Sequence, residues 1–163
     1  TIWYKTEKRS RTMATKKLIL DLDMGVDDAM ALAYAVASPE VELVGITTCF
    51  GNVRVDQSAH NCLAVLDLLG RPEVPVYLGA DRPIKATEPY TPPASTTLIH
   101  GKNGIGGASV PASPYEPVGQ RRPTATLRRY LIDAARTYGP DLVYVATGPL
   151  SNLALALERV RPR

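Results

Sequence analysis

An α/β fold, built on an open and mostly parallel sheet with flanking helices, is the architecture this sequence predicts. Three observations predict it. Short apolar runs rich in β-branched residues alternate with longer segments of helical period. The first runs lack polar alternation, as parallel strands covered on both faces do. A group of carboxylates follows the first run directly, at the strand end where open α/β sheets bind ligands.

Taken in order, Leu18-Ile19-Leu20 reads as a buried first strand. It runs into Asp21-Leu22-Asp23-Met24-Gly25-Val26-Asp27-Asp28. An alanine-rich helix carrying Leu32, Tyr34 and Val36 follows over about 28–38, and Pro39 stops it. Residues 41–48 form a second strand with Gly51-Asn52 just beyond it. Residues 56–69 form a second helix, with Ala59, Cys62, Leu63, Val65, Leu66 and Leu69 at helical spacing, capped by Gly70. A short third strand occupies 74–78. The stretch 79–123 holds most of the prolines and the run His100-Gly101-Lys102-Asn103-Gly104-Ile105-Gly106-Gly107, so it reads as a long functional or disordered loop. A third helix over 126–137, a fourth strand over 141–146, a turn at Thr147-Gly148-Pro149 and the start of a fourth helix at 151–157 complete the pattern.

The chain has 163 residues, 45% hydrophobic and 21% charged, enough for one domain with a sizeable core and cramped for two. No apolar run approaches the roughly 20 residues that span a bilayer, so no membrane partner is expected. Residues 1–12 read as a disordered or non-native extension ahead of Met13, and residues 13–163 as part of a single domain. The formal charge of +3 resides in the two termini, around an acidic middle. That distribution argues against a nucleic-acid partner. Cys49 and Cys62 have no metal spacing and read as buried thiols of a reducing compartment, which points to the cytoplasm.

Asp21, Asp23, Asp27 and Asp28 are the strongest chemical signal. Four carboxylates at one strand end repel one another and call for a cation, and hard oxygen ligands suit calcium or magnesium. Gly25 permits the tight turn that would let them converge. A helix cap explains any one of these residues; it does not explain four.

The segment D-L-D-M-G-V-D-D-A-M-A-L over 21–32 resembles the N-terminal signature of the inosine/uridine-preferring nucleoside hydrolase family, with Met24 where that signature usually has proline. Three further stretches resemble the same family in the same order. They are I-T-T-C-F-G-N-V over 46–53, the H-G-x-x-G-x-G loop from His100, and A-T-G-P-L-S-N-L-A-L-A over 146–156. The resemblance covers residues 16–158. It implies a nucleoside hydrolase-like fold, apparently incomplete at the C-terminus. It also implies hydrolysis of the N-glycosidic bond of ribonucleosides to free base and ribose through a calcium-bound water.

Carried over residue by residue, the resemblance implies that Asp23 and Asp28 ligate calcium through their side chains and Thr147 through its carbonyl. Asp27 would bind the ribose hydroxyls and Asn52 would sit beside the water and the ribose. Asp23 would be the general base, and His100 would lie in a loop closing over the base. Asp21 would support the turn from behind. The residue types suit the chemistry. A carboxylate can take a proton from water, and negative charge around the sugar stabilises an oxocarbenium-like state.

Plainer readings exist for several residues. His100 has only His60 for company, so zinc is not expected, and the glycine run lacks the strand and Lys-Ser/Thr of a P-loop. Asn52 is also an ordinary turn residue, Asn152 could merely support the fourth helix, and Tyr34, Tyr138 and Tyr144 read as core or boundary packing.

Family members are considerably longer, and their C-terminal portion supplies a further metal-ligating Asp and a leaving-group His. This chain alone is therefore expected to bind calcium weakly and to have little or no activity. A homo-oligomer is expected of a full-length parent. Two rivals remain at this stage. One is a catalytically incomplete metal-binding or regulatory partner. The other is a haloacid dehalogenase-type phosphatase, whose two acids and later threonine Asp21, Asp23 and Thr147 imitate.

Overall fold

A computed structural model describes residues 15–158. The expected extension at 1–12 lies outside the described residues. The elements are β1 (Lys16–Leu22), α1 (Val26–Ala37), β2 (Val41–Thr48), α2 (Val55–Leu68), β3 (Val76–Leu78), α3 (Ala94–His100), α4 (Pro123–Tyr138), β4 (Leu142–Ala146) and α5 (Ser151–Leu157). All four strands are parallel, in the order β3-β2-β1-β4. The α/β class with an open parallel sheet is therefore borne out.

Strand order decides where a site can form. The chain steps outward from β1 to β2 to β3, then returns to the other side of β1 for β4. The crevice between the carboxyl ends of β1 and β4 is thus a topological switch point, where neighbouring loops part and leave room for a ligand.

Two apolar layers hold the sheet. On one face Leu18, Leu20, Leu22, Leu32, Ile46 and Leu66 pack under α1 and α2. On the other, Ile19, Leu127, Leu131 and Ala156 pack under α4 and α5. Alternate residues of β1 therefore serve opposite faces, and both faces are covered, which is why the strand reads as an uninterrupted apolar run. The β1–β2 register shifts between Leu18 and Ile19, which skips Val44 and pairs Ile19 with Gly45. A Cβ there would lie 2.2 Å from the Tyr130 hydroxyl, which donates to the Val44 carbonyl from α4.

Three expectations need correction. The stretch 79–123 is not all loop, since α3 lies within it. That helix buries no residue, so it has no apolar stripe to reveal it, and it ends at Gly101 with φ 73°. Helix α4 begins at Pro123, three residues early, because proline suits a first helical turn whose N–H groups are unpaired anyway. The third strand is shorter than 74–78. Its outer edge is instead met by Val118, which accepts from the Leu78 amide and donates to the Val76 carbonyl. Tyr34 is a further miss: it is 78% exposed on α1, not packed in the core. Cys49 and Cys62 are both free and buried, as expected.

Candidate active site

The turn after β1 carries the carboxylates, and each has a different environment. Asp21 is fully buried at the end of the strand. Its Oδ1 accepts from Thr47 Oγ1 and from Asn152 Nδ2, both at 2.7 Å. Its Oδ2 and the neighbouring Tyr144 hydroxyl are both buried without a well-aligned partner. Burial raises the Asp21 carboxyl above the usual range, against the lowering effect of its hydrogen bonds. A group enclosed in this way cannot reach a substrate, so Asp21 is no nucleophile, and the phosphatase reading loses its first residue.

Asp23 and Asp28 form a buried acidic pair. Asp23 Oδ2 accepts from the Asn52 amide at 2.8 Å. Two glycines make room for its carboxyl. A Cβ on Gly51 would lie 1.8 Å from Asp23 Oδ2, and one on Gly148 would lie 3.0 Å from its Cγ. Burial, followed by the adjacent Asp28 carboxyl, raises Asp23 to about 6, partly offset by the Asn52 amide. Asp28 sits at the third position of α1. Its Oδ2 accepts from the Gly25 amide at 2.7 Å, and its Oδ1 accepts from Thr147 Oγ1 at 2.6 Å. That last bond crosses the switch point from α1 to the turn after β4. Thr147 is also fixed through its amide, which donates to the Asp21 carbonyl at 3.1 Å.

Asp27, Asn52 and His100 meet around Gly25. A Cβ on Gly25 would lie 2.6 Å from Asp27 Oδ1, 2.7 Å from Asn52 Nδ2 and 2.7 Å from His100 Nδ1. Three polar side chains from three separate segments therefore crowd the one position that lacks a side chain. His100 Nδ1 accepts from the Val26 amide at 3.2 Å and lies 3.6 Å from Asp27 Oδ1. The Asp27 side chain is 75% exposed and the His100 side chain 12%. Met24, between the two halves of the turn, is fully buried with φ 41°, a left-handed conformation uncommon for a side-chain-bearing residue.

All of the sequence-predicted residues thus lie about one turn at the carboxyl ends of β1, β2 and β4. The cation test gives a two-part answer. Asp23 and Asp28 are buried, adjacent and, among the described residues, in no ion pair with Lys or Arg, so the pair needs a proton or a cation. On the other hand, no three His, Cys, Asp or Glu groups among the described residues converge as a metal site. The donors present fit part of a coordination shell.

Three residues were missed or undervalued by sequence reasoning. Asn152 does more than support α5. Buried at its start, it donates to Asp21 Oδ1 and the Thr48 carbonyl (2.9 Å) and accepts from the Ala80 amide (2.9 Å), tying β1, β2 and the segment after β3 together. Tyr90, from the long segment, donates to the Gly51 carbonyl at 2.8 Å and packs on Phe50 at 4.7 Å between ring centroids. Asn61 on α2 donates to the Asn103 carbonyl. Only Asn152 had a signal, its place within the segment over 146–156.

Fold and site together define an α/β protein with a cluster of carboxylates at the switch point of a parallel sheet. The profile of the inosine-uridine preferring nucleoside hydrolases matches residues 18–162, and the chain belongs to that family. Uridine nucleosidase 1 of Arabidopsis thaliana is 37% identical over 144 residues, covering 88% of this chain and 40% of its own length. The inosine-uridine preferring nucleoside hydrolase of Crithidia fasciculata is 35% identical over 149 residues, covering 91% of this chain and 44% of its own. Among solved structures, the purine-preferring ribonucleoside hydrolase from Gardnerella vaginalis superposes with a TM-score of 0.82 at 46% identity, over 89% of this chain and 44% of that one. The chain therefore spans about two fifths of the length of these relatives. No helix among the described residues is long and apolar enough to cross a membrane.

Proposed function

We propose that this chain carries the cation- and ribose-binding part of an enzyme that hydrolyses the N-glycosidic bond of ribonucleosides, giving free base and ribose. One observation carries the proposal: Asp27, Asn52 and His100 converge on Gly25 beside the buried pair Asp23 and Asp28. An anionic cluster next to the exposed Asp27 carboxylate and two part-buried hydrogen-bonding side chains suits a sugar that gains positive charge as its bond to the base breaks.

In this reading Asp23 and Asp28 hold a divalent cation, calcium by preference, with the Thr147 carbonyl contributing. When bound, calcium supplies a fixed positive charge that orients the ribose diol and makes a water more acidic. Asp23, held by the Asn52 amide beside the Asp28 carboxyl, would be the carboxylate placed to take a proton from water at this site. Asp27 accepts hydrogen bonds from the ribose hydroxyls, and Asn52, fixed by its own amide on Asp23, contacts the same sugar. His100 borders the base. Because its Nδ1 accepts from the Val26 amide, its proton is on Nε2, where it can donate. The acidic middle of the chain supports a small-molecule partner over nucleic acid, the free thiols support a cytoplasmic setting, and a homo-oligomer is proposed for a longer parent.

Among the described residues two carboxylates converge and no third His, Cys, Asp or Glu ligand joins them, which favours a second reading of this chain by itself as a metal-binding partner without turnover. Calorimetric titration with calcium and an assay for base release from inosine and uridine separate the possibilities. We expect weak calcium binding that Asp23→Asn or Asp28→Asn abolishes, with little or no turnover by the 163-residue chain. Absence of any calcium heat would overturn the cation assignment, and robust turnover would overturn the incompleteness.

A further inference from the structure

The glycine-rich segment after α3 is latched to α2 by one buried side chain that the site as described leaves without a role. Asn61 is buried on α2. Its Oδ1 accepts from Gln57 Nε2 at 2.8 Å, one helical turn earlier. The amide oxygen is thereby committed, so its nitrogen end faces outward. Nδ2 donates to the Asn103 carbonyl at 2.7 Å, across to the glycine-rich segment.

Asn103 in turn organises that segment. Its Oδ1 accepts from the amides of Ile105 (3.2 Å) and Gly107 (2.9 Å), and its Nδ2 donates to the Ala108 carbonyl (2.9 Å). Next to it, Gly104 has φ 82° and presses on the site turn. A Cβ there would lie 2.6 Å from the Met24 carbonyl and 2.6 Å from Val53 Cγ1. The Gly106 amide donates to the His100 carbonyl at 2.7 Å, which closes the segment back on the histidine. A continuous chain of contacts therefore runs from Asn61 through Asn103 to the backbone of His100, and ends at the bond between His100 Nδ1 and the Val26 amide.

We propose that Asn61 is a positioning residue for His100. Through Asn103 it holds the ring against the Val26 amide and so fixes the tautomer with its proton on Nε2. This rests on the role given to His100 above, but the test does not depend on turnover. The chain contains two histidines, and the structure gives them opposite tautomers. His60 Nδ1 lies 2.8 Å from the Asp56 carbonyl and must donate to it, whereas His100 Nδ1 accepts. His60 is thus an internal reference.

The experiment is a long-range proton–nitrogen NMR spectrum of the histidine-labelled 163-residue chain at pH 8, assigned with His60→Gln. The unsubstituted chain should show two opposite tautomer patterns. Asn61→Asp keeps the shape but sets an oxygen against the Asn103 carbonyl, and Asn103→Gly keeps that carbonyl but removes the side-chain bonds to Ile105, Gly107 and Ala108 through which the latch reaches the segment, without touching α2. Each should collapse most of the separation between the two His100 nitrogen resonances toward the free-imidazole average and leave the His60 pattern as it was. An unchanged His100 pattern in folded Asn61→Asp, or in Asn103→Gly if the first variant does not fold, would overturn the proposal and leave Asn61 as a helix-packing residue. An averaged His100 in the unsubstituted chain would overturn it as well. Loss of the hydrolase reading alone would alter none of these spectra.

Discussion

The two sides of β1 are built on different terms. Toward β2, the carboxyl ends of the strands are sealed by buried polar groups, with Asp21, Thr47, Thr48 and Asn152 all fully or nearly fully buried and bonded to one another. Toward β4 the surface is apolar and open. Val143 and Val145 are 37% and 40% exposed, Leu150 and Leu157 are more than half exposed, and an apolar groove of about 290 Å³ runs between α4, α5 and β4. The outer edge of β3 is met by Val118, whereas β4 pairs only with β1 among the described residues. The polar side meets most of its groups from within this chain, Asp21 Oδ2 excepted; the apolar side leaves much of its surface exposed.

The sharpest way to break that contrast is Asn152→Ala. It leaves the Asp21 carboxyl with Thr47 as its one donor and removes the side-chain partner of the Thr48 carbonyl and the Ala80 amide, and we expect a loss of about 3 kcal/mol in denaturant unfolding. A comparable loss at Val145→Thr would contradict the contrast, since an exposed edge position should change stability by no more than about 0.5 kcal/mol.

The acidic pair gives the next largest effect, through pH. Asp23 is raised from 3.8 to about 6, so the folded chain holds that proton more tightly than the unfolded one. Its contribution is present in full below pH 3.8 and is lost as pH rises through about 6. Asp23→Asn should remove this slope and gain on the order of 2 kcal/mol relative to the parent between pH 4 and pH 7 in the absence of divalent cations. Calcium at pH 7.5 should raise the melting temperature of the parent and leave that of Asp23→Asn unmoved.

Gly25→Ala tests the other part of the site. The added methyl falls on Asp27, Asn52 and His100, and we expect about 1–2 kcal/mol of overpacking. The accompanying change should be confined to those three residues in amide NMR shifts; a change spread over β4 would be unexpected. The smallest effect in stability belongs to Val143→Lys, within about 0.5 kcal/mol. A charge on an open edge opposes strand addition, so this variant should lower self-association in sedimentation runs at rising concentration.

What was legible in the sequence follows from the range of each interaction. The first strand was legible because both its faces are covered and its apolar run is continuous. The carboxylates were legible because Asp21, Asp23, Asp27 and Asp28 share one short segment, 21–28. Asn52 and His100 entered through their motifs, although what brings them together is Gly25, a residue whose importance lies in the side chain it lacks. Asn61 and Asn152 act on partners 42 and up to 131 positions away, and no local period encodes such a bond. Helix α3 buries nothing, so no stripe marks it. Tyr34 has the type of a packing residue but lies on the solvent side of α1, where residue type does not decide burial.

Met24 bears on how this turn can change over evolutionary time. Proline, usual at this place in the signature that the turn resembles, locks φ near −65°, whereas Met24 holds φ at 41° with its carbonyl tight against Gly104. Met24→Pro would therefore restore nothing. It would force the backbone into another well and push the carbonyl away from the glycine segment. Proline and the present backbone are mutually exclusive at this position, so the exchange is accommodated only if the turn and the segment above it change together.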